Sequence, residues 1–142
     1  MQIRHATQKD IPLLAELNHQ LQEDEHTPYL MSGRELEARF RKWLEQDYKA
    51  VFFDHSEEVV AYAVYRLDED GLYLRQFHVL RNHRRQGIGR RAISLFRDQI
   101  VSADQALTLE AFVHNDRAIA FWQAVGFRKH TISFRIDAQT GE

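Results

Sequence analysis

The sequence contains no cysteine. That excludes disulfides, a thiolate nucleophile and a cysteine-ligated zinc, although it does not decide the compartment. No apolar run approaches the roughly 20 residues a membrane helix needs, and the residues from Met1 to Asp10 are too polar for a secretory signal. A cytoplasmic protein with no membrane partner is expected. Internal repeats and low-complexity segments are absent. None of the 8 histidines falls in a His-Glu-x-x-His spacing, so no metal site is expected. A net charge of −2 argues against bulk nucleic-acid affinity. What remains is 142 residues, 44% hydrophobic and 28% charged, which suits one soluble domain spanning 1–142 with a real core.

One stretch organises the rest. Leu72 to Val79 follows the turn signal Asp68-Glu69-Asp70-Gly71 and has strand composition. Leu80 to Arg85 is a short basic loop, and Gln86-Gly87-Ile88-Gly89-Arg90-Arg91 leads into a helix over 88–101, with apolar residues at 88, 92, 95, 96 and 100. A helix N-terminus carries unpaired N–H groups and partial positive charge, and glycines let a ligand approach the backbone. With Arg84, Arg85, Arg90 and Arg91 around it, this junction suits a phosphate or pyrophosphate. The Gly-Lys-Ser/Thr of a nucleotide phosphate loop is missing, as is the first glycine of a dinucleotide fingerprint.

The order Arg84-x-x-Gly87-x-Gly89 instead resembles the coenzyme A loop of the GNAT (Gcn5-related) N-acetyltransferases. A second segment, Asn115 to Phe127, resembles that family's other signature, Asn-x-x-Ala-x-x-Phe-Tyr-x-x-x-Gly-Phe. The two occur in the family's order. The resemblance implies an α/β (α+β) GNAT fold: a mixed six- to seven-stranded sheet with a splayed central strand pair, flanked by about four helices.

In chain order, Gln2 to Ala6 is a strand candidate, and Thr7 with Asp10 looks like a capping box opening a helix to about Gln22. Ser32 with Glu35 opens a second helix, carrying Leu36, Phe40, Trp43 and Leu44. Strands Ala50–Asp54 and Val59–Arg66 form a hairpin, and antiparallel pairing continues to the central strand. There the alternation breaks: Leu72 and Leu74 share a face, while Phe77 and Val79 have the opposite parity. A bulge near Arg75-Gln76 would reset it, the alternative being a mixed face. Leu107 to Val113 is a strand parallel to the central one, reached by a helical crossover. Asn115 caps a last helix, closed by Gly126, and Phe127 to Ile136 is the final strand.

The resemblance also implies the chemistry. Acetyl-CoA is the expected cosubstrate, without a metal. Backbone groups of Phe77 and Val79, flanking His78, would pair with pantetheine. The amides of Arg84, Arg85, Gln86, Gly87, Ile88, Gly89 and Arg90 would surround the pyrophosphate, and Asn115 and Trp122 would border the pantetheine arm. Glu110 stands where related N-terminal acetyltransferases place a base, and His78 is a second catalytic candidate. Gln76 and His114 are expected on the same wall. Trp122 replaces the tyrosine that often protonates the departing thiolate, and an indole N–H donates a hydrogen bond without serving as an acid. Between the first two helices Glu23, Asp24, Glu25, His26 and Tyr29 would border the acceptor pocket, with Glu25 and Tyr29 the leading candidates. Their carboxylates favour a cationic small-molecule or peptide amine.

The first expectation is therefore direct acetyl transfer to a primary amine in a ternary complex. The alternative is a non-catalytic acyl-CoA-binding or sensing module. A homodimer is compatible with either. The arginines of 81–91 are not interleaved with stacking aromatics, which disfavours nucleic acid as a partner.

Overall fold

The structure, a computed structural model, describes residues 1–84 and 86–139. The chain divides into two compact units, Met1–Glu110 and Ala111–Glu142.

The first unit contains β1 (Gln2–His5), α1 (Ile11–Asp24), α2 (Gly33–Glu45), β2 (Tyr48–His55), β3 (Glu58–Asp68), β4 (Gly71–Val79), α3 (Ile88–Gln99) and β5 (Ala106–Leu109). The strands form one sheet in sequence order. The first three pairings are antiparallel and β4–β5 is parallel, as a crossover through α3 requires. Both capping boxes are present. That of Thr7 and Asp10 closes a 3-10 turn before α1, with Pro12 in α1's first turn, and that of Ser32 and Glu35 opens α2. The β2–β3 hairpin turns tightly on Ser56 (φ 52°) and Glu57 (φ 66°), the left-handed pair that matches strand twist.

Apolar residues cover both faces of the sheet. On one, Ile11, Leu14 and Leu17 of α1 and Phe40 of α2 bury Ala50, Phe52, Tyr62 and Val64. On the other, Tyr65 meets Phe96 of α3 edge-on at 5.3 Å and Phe53 meets Phe77 at 6.0 Å. A fully buried ring such as Phe96 contributes about 2–3 kcal/mol.

The expected bulge is present. Val64 pairs with Gln76 and Tyr65 with Leu74, leaving Arg75 as the extra residue. The side chains of Leu72, Leu74, Phe77 and Val79 therefore share the α3 face. Tyr73, Gln76 and His78 share the α1/α2 face, opposite Arg66, Val64 and Tyr62. The ladder to β5 ends at Leu74 with Leu109, while β4 continues to Val79.

In the second unit, Asn115 Oδ1 accepts from the Ala118 amide at 3.1 Å, capping α4 (Asp116–Ala124). Gly126 (φ 109°) ends it: its amide donates to Gln123 and that of Phe127 donates to Trp122, a Schellman closure.

Two expectations fail. The sheet has five strands among the described residues, not six or seven, because 127–139 form no strand. Ile132, Phe134 and Ile136 alternate as a strand would, but a strand also needs a ladder partner. Within this unit α4 is the only regular element among the described residues. The strand expected over 107–113 stops at Leu109, so Glu110 lies just beyond it. The tail over 140–142 lies outside the described residues.

Candidate functional site

The α1/α2 face of β4 is a polar wall inside an otherwise apolar layer. Gln76 anchors it: its Oε1 accepts from the Tyr62 hydroxyl at 2.9 Å, and its Nε2 donates to Asn18 Oδ1 at 3.3 Å. Tyr62 and Asn18 are buried, so each depends on this chain for satisfaction. Burial, and then the Glu25 carboxylate, push the Tyr62 phenol well above its ordinary pKa. The hydroxyl therefore remains a donor.

His78 follows on the same face, 4% exposed, its ring 6.0 Å from that of Tyr62. Its Nε2 is buried without a hydrogen-bond partner among the described residues. Burial first, and then the Arg84 charge, push its pKa down to about 4, with Asp24 opposing and Arg81 reinforcing. The ring is therefore neutral through the physiological range.

This imidazole makes stability depend on pH. The native pKa is lowered from 6.5 to about 4, so below pH 6.5 the unfolded chain binds a proton that the native one refuses. Stability falls as pH drops from about 6.5 to about 4, by on the order of 3 kcal/mol in total. His78→Gln should flatten denaturant-measured stability between pH 6.5 and 4.5, a window above the lowered carboxyl pKa values of Asp10 and Asp24. An undiminished acid slope in that variant would contradict this assignment.

At the start of β4, the Tyr73 hydroxyl donates to Glu110 Oε1 at 2.8 Å. Burial, then the hydrogen bond and charge of Glu110, raise the Tyr73 pKa to about 12. The phenol thus stays protonated and holds the carboxylate in place. Tyr73, Tyr62 and Asn18 were not among the expected site residues. Asn18 had a signal, as a polar residue within the apolar stripe of α1, whereas Tyr73 had none without the β4–β5 register.

The basic loop after β4 is braced against α1. Arg81 pairs with Asp24 at 3.0 Å and Glu23 at 3.2 Å. Arg84 pairs with Asp24, and its Nε donates to the Val79 carbonyl at 3.1 Å. Burial alone would raise the Asp24 pKa, but the hydrogen bonds and charges of Arg84 and Arg81 bring it down. The Arg84 side chain is thus occupied by the protein. Arg85 lies outside the described residues.

Gly87 then adopts φ 72° as the N-cap of α3, with nothing within 4 Å of where a Cβ would stand. No acidic residue and no side-chain cap occupy the first turn, whose amides have no intrahelical acceptor by construction.

Of the two acceptor-pocket candidates, Tyr29 is held at the start of α2 by donating to Glu35 at 3.0 Å. Solvent reaches Glu25, yet local packing, and then Asp24, raise its carboxyl pKa. In the second unit Trp122 packs edge-on against Phe121 at 4.9 Å and Phe127 at 5.3 Å, and His114 stacks on Phe112. Two surface hollows, of about 420 and 490 Å³, are lined by residues other than those of β4. No group of three potential metal ligands occurs among the described residues. Among the described residues, no helix is long and apolar enough to cross a membrane.

A mixed sheet with a bulged central strand, leading through a glycine cap into the crossover helix, defines the class. The acetyltransferase (GNAT) family model matches residues 14–127, and the chain belongs to that family. Among solved structures it resembles a possible acetyltransferase from Clostridium difficile 630 (18% identity, TM-score 0.76, covering 99% of this chain and 98% of that one). It also resembles an acetyltransferase from Thermus thermophilus (24%, TM-score 0.74, 90% and 88%). A third likeness is to an aminoglycoside acetyltransferase from an uncultured soil metagenomic sample, solved with sisomicin (16%, TM-score 0.71, 97% and 96%). Among curated proteins, none matches the chain in sequence.

Proposed function

We propose that residues 1–142 act as one acetyl-CoA-dependent N-acetyltransferase domain that moves an acetyl group directly to a primary amine in a ternary complex, in the cytoplasm. The observation that carries this reading is the run of β4 to Val79, past the end of its β5 ladder at Leu74, followed after the basic loop by the Gly87 cap of α3. The residues fit a pantetheine pyrophosphate. The left-handed glycine leaves its cap open, and no carboxylate in the first turn repels an anion.

Acetyl-CoA would supply the activated acyl group. The backbone of Phe77 and Val79 would pair with its pantetheine, and the amides from Gln86 through Arg90 would receive its phosphates. Arg84 holds the loop through Asp24 rather than reaching the ligand itself. In place of the loop alone, Gly89→Glu would put a carboxylate at the phosphates. It should abolish acetyl-CoA-induced thermal stabilisation without unfolding the protein, and normal binding would refute the loop assignment.

Glu110 is the better base. It is exposed and oriented by Tyr73, whereas the His78 ring is buried, 4% exposed, away from any incoming amine. With no cysteine in the chain, direct transfer needs no acyl-enzyme. A sensing module is the second reading, favoured by Trp122 serving as a packing residue between Phe121 and Phe127.

The test uses the missing thiols. With acetyl-CoA and an amine panel, any free thiol detected by a disulfide reagent is released coenzyme A. Amine-dependent release supports the enzyme. Acetyl-CoA binding without release for any amine supports the sensing module.

A further inference from the structure

The α1/α2 face of the sheet carries a stack of alternating cations and rings. The Arg39 guanidinium lies 4.6 Å from the ring centre of Trp43, and that of Arg75 lies 5.1 Å from the same ring. Arg66 lies 5.4 Å from Tyr48 and 4.9 Å from Tyr73. The Tyr48 hydroxyl accepts from Arg66 at 2.7 Å and from Arg75 at 3.3 Å. Through Tyr73 the stack reaches Glu110.

The charges along this stack do not balance. Arg66 is paired with Asp68 at 2.8 Å. Neither Arg39 nor Arg75 has a carboxylate at ion-pairing distance among the described residues, and both cations lean on one indole. Burial, and then the charge of Arg75, lower the Arg39 pKa, so the pair is mutually unfavourable until an anion joins it. Arg75 is also the extra residue of the β4 bulge and is exposed, and a bulge of this kind re-aims a side chain. At the other end of the wall, two of the three carboxylates expected to draw a cationic amine, Glu23 and Asp24, are already paired with Arg81 and Arg84.

We infer that Arg75, backed by Arg39, binds an anionic group on the acceptor, so that the substrate class is a short amine bearing a carboxylate or phosphate, such as an amino acid, rather than a polycation. The reacting end of this inference rests on the acetyltransferase reading above. Tyr73, which orients Glu110, and Arg75 are two residues apart on one strand, roughly 7 Å, a span suited to a small amino acid. The guanidinium fork grips a carboxylate or phosphate in two places, and the Trp43 and Tyr48 rings hold it flat.

The experiment compares acceptors that differ only in the anion: glycine, β-alanine and 4-aminobutyrate with their carboxamides, phosphoethanolamine with ethanolamine, and spermidine as a polycation. Coenzyme A release is measured for wild type, Arg75→Gln and Arg75→Lys. Binding of the same compounds is measured by calorimetry in the presence of coenzyme A. At least a tenfold preference in kcat/KM for the anionic member is expected. It should collapse towards one in Arg75→Gln, chiefly through KM, and survive in part in Arg75→Lys. The carboxylate and phosphate arms show which anion fits.

Equal turnover of acids and amides, a preference for spermidine, or a ratio untouched by Arg75→Gln overturns the inference while leaving the acetyltransferase standing. Absent turnover, with binding of an anionic amine that Arg75→Gln abolishes, overturns the acetyltransferase and supports the anion site. Absent turnover with no such binding overturns both.

Discussion

Gly71→Ala should cost the protein on the order of 3 kcal/mol or more and lower its melting temperature by roughly 10 °C. Gly71 has φ 150°, and it stands at the crossing where β3, β4 and β5 meet, paired with both Asp68 and Ala106. An added Cβ would lie 2.1 Å from the Ala106 carbonyl oxygen and 2.8 Å from its amide nitrogen. Those atoms are backbone, so no side-chain rotation relieves the clash. Either β5 withdraws or the β3–β4 turn deforms, and both disturb the four-residue ladder that places Glu110 beside Tyr73. Activity should therefore fall together with stability. Gly33→Ala is the matched control, since nothing lies within 4 Å of its added Cβ and it begins α2. That change should be neutral or stabilise by up to about 1 kcal/mol. Equal melting temperatures for the two variants would refute the steric argument.

Local caps and the bulge were legible in the sequence, as were the strand pairings that a tight hairpin or a helical crossover forces; side-chain bonds between distant segments were not. The bulge at Arg75 could be read because a strand facing an apolar layer cannot change parity without an extra residue. The glycine cap of α3, the asparagine cap of α4 and the Gly126 closure could be read because each is decided within a few residues. The same kind of evidence misled over 127–136, where alternation describes side chains and says nothing about whether a partner strand completes the backbone. At the site, the resemblance put Gln76 and His78 on one wall with His114, and β4 does carry the first two on one face. The bonds that give it chemical character join distant segments: Gln76 to Asn18, Tyr73 to Glu110, Arg84 to Asp24. The last of these engages the Arg84 guanidinium with a carboxylate on α1, a partner that the basic loop by itself did not reveal.

Glu110→Gln should lower kcat/KM by on the order of a hundredfold, the usual contribution of a positioned base. The amide is isosteric and its oxygen can still accept from Tyr73, so the variant removes proton affinity while keeping shape. Tyr73 fixes one carboxylate oxygen, and no other hydrogen bond to Glu110 exists among the described residues, leaving the group able to meet an incoming ammonium. The deficit should shrink as pH rises towards the pKa of the acceptor amine, because the amine then arrives already deprotonated. A purely structural role would give a deficit independent of pH. Tyr73→Phe should cost less, about tenfold, since it frees the carboxylate without removing it. In the Glu110→Gln background that second change should cost almost nothing, because an orienting residue has no effect once the group it orients has lost its function. Additive losses would mean that Tyr73 acts on its own account. A Glu110→Gln enzyme with wild-type rate and pH profile would remove Glu110 as the base.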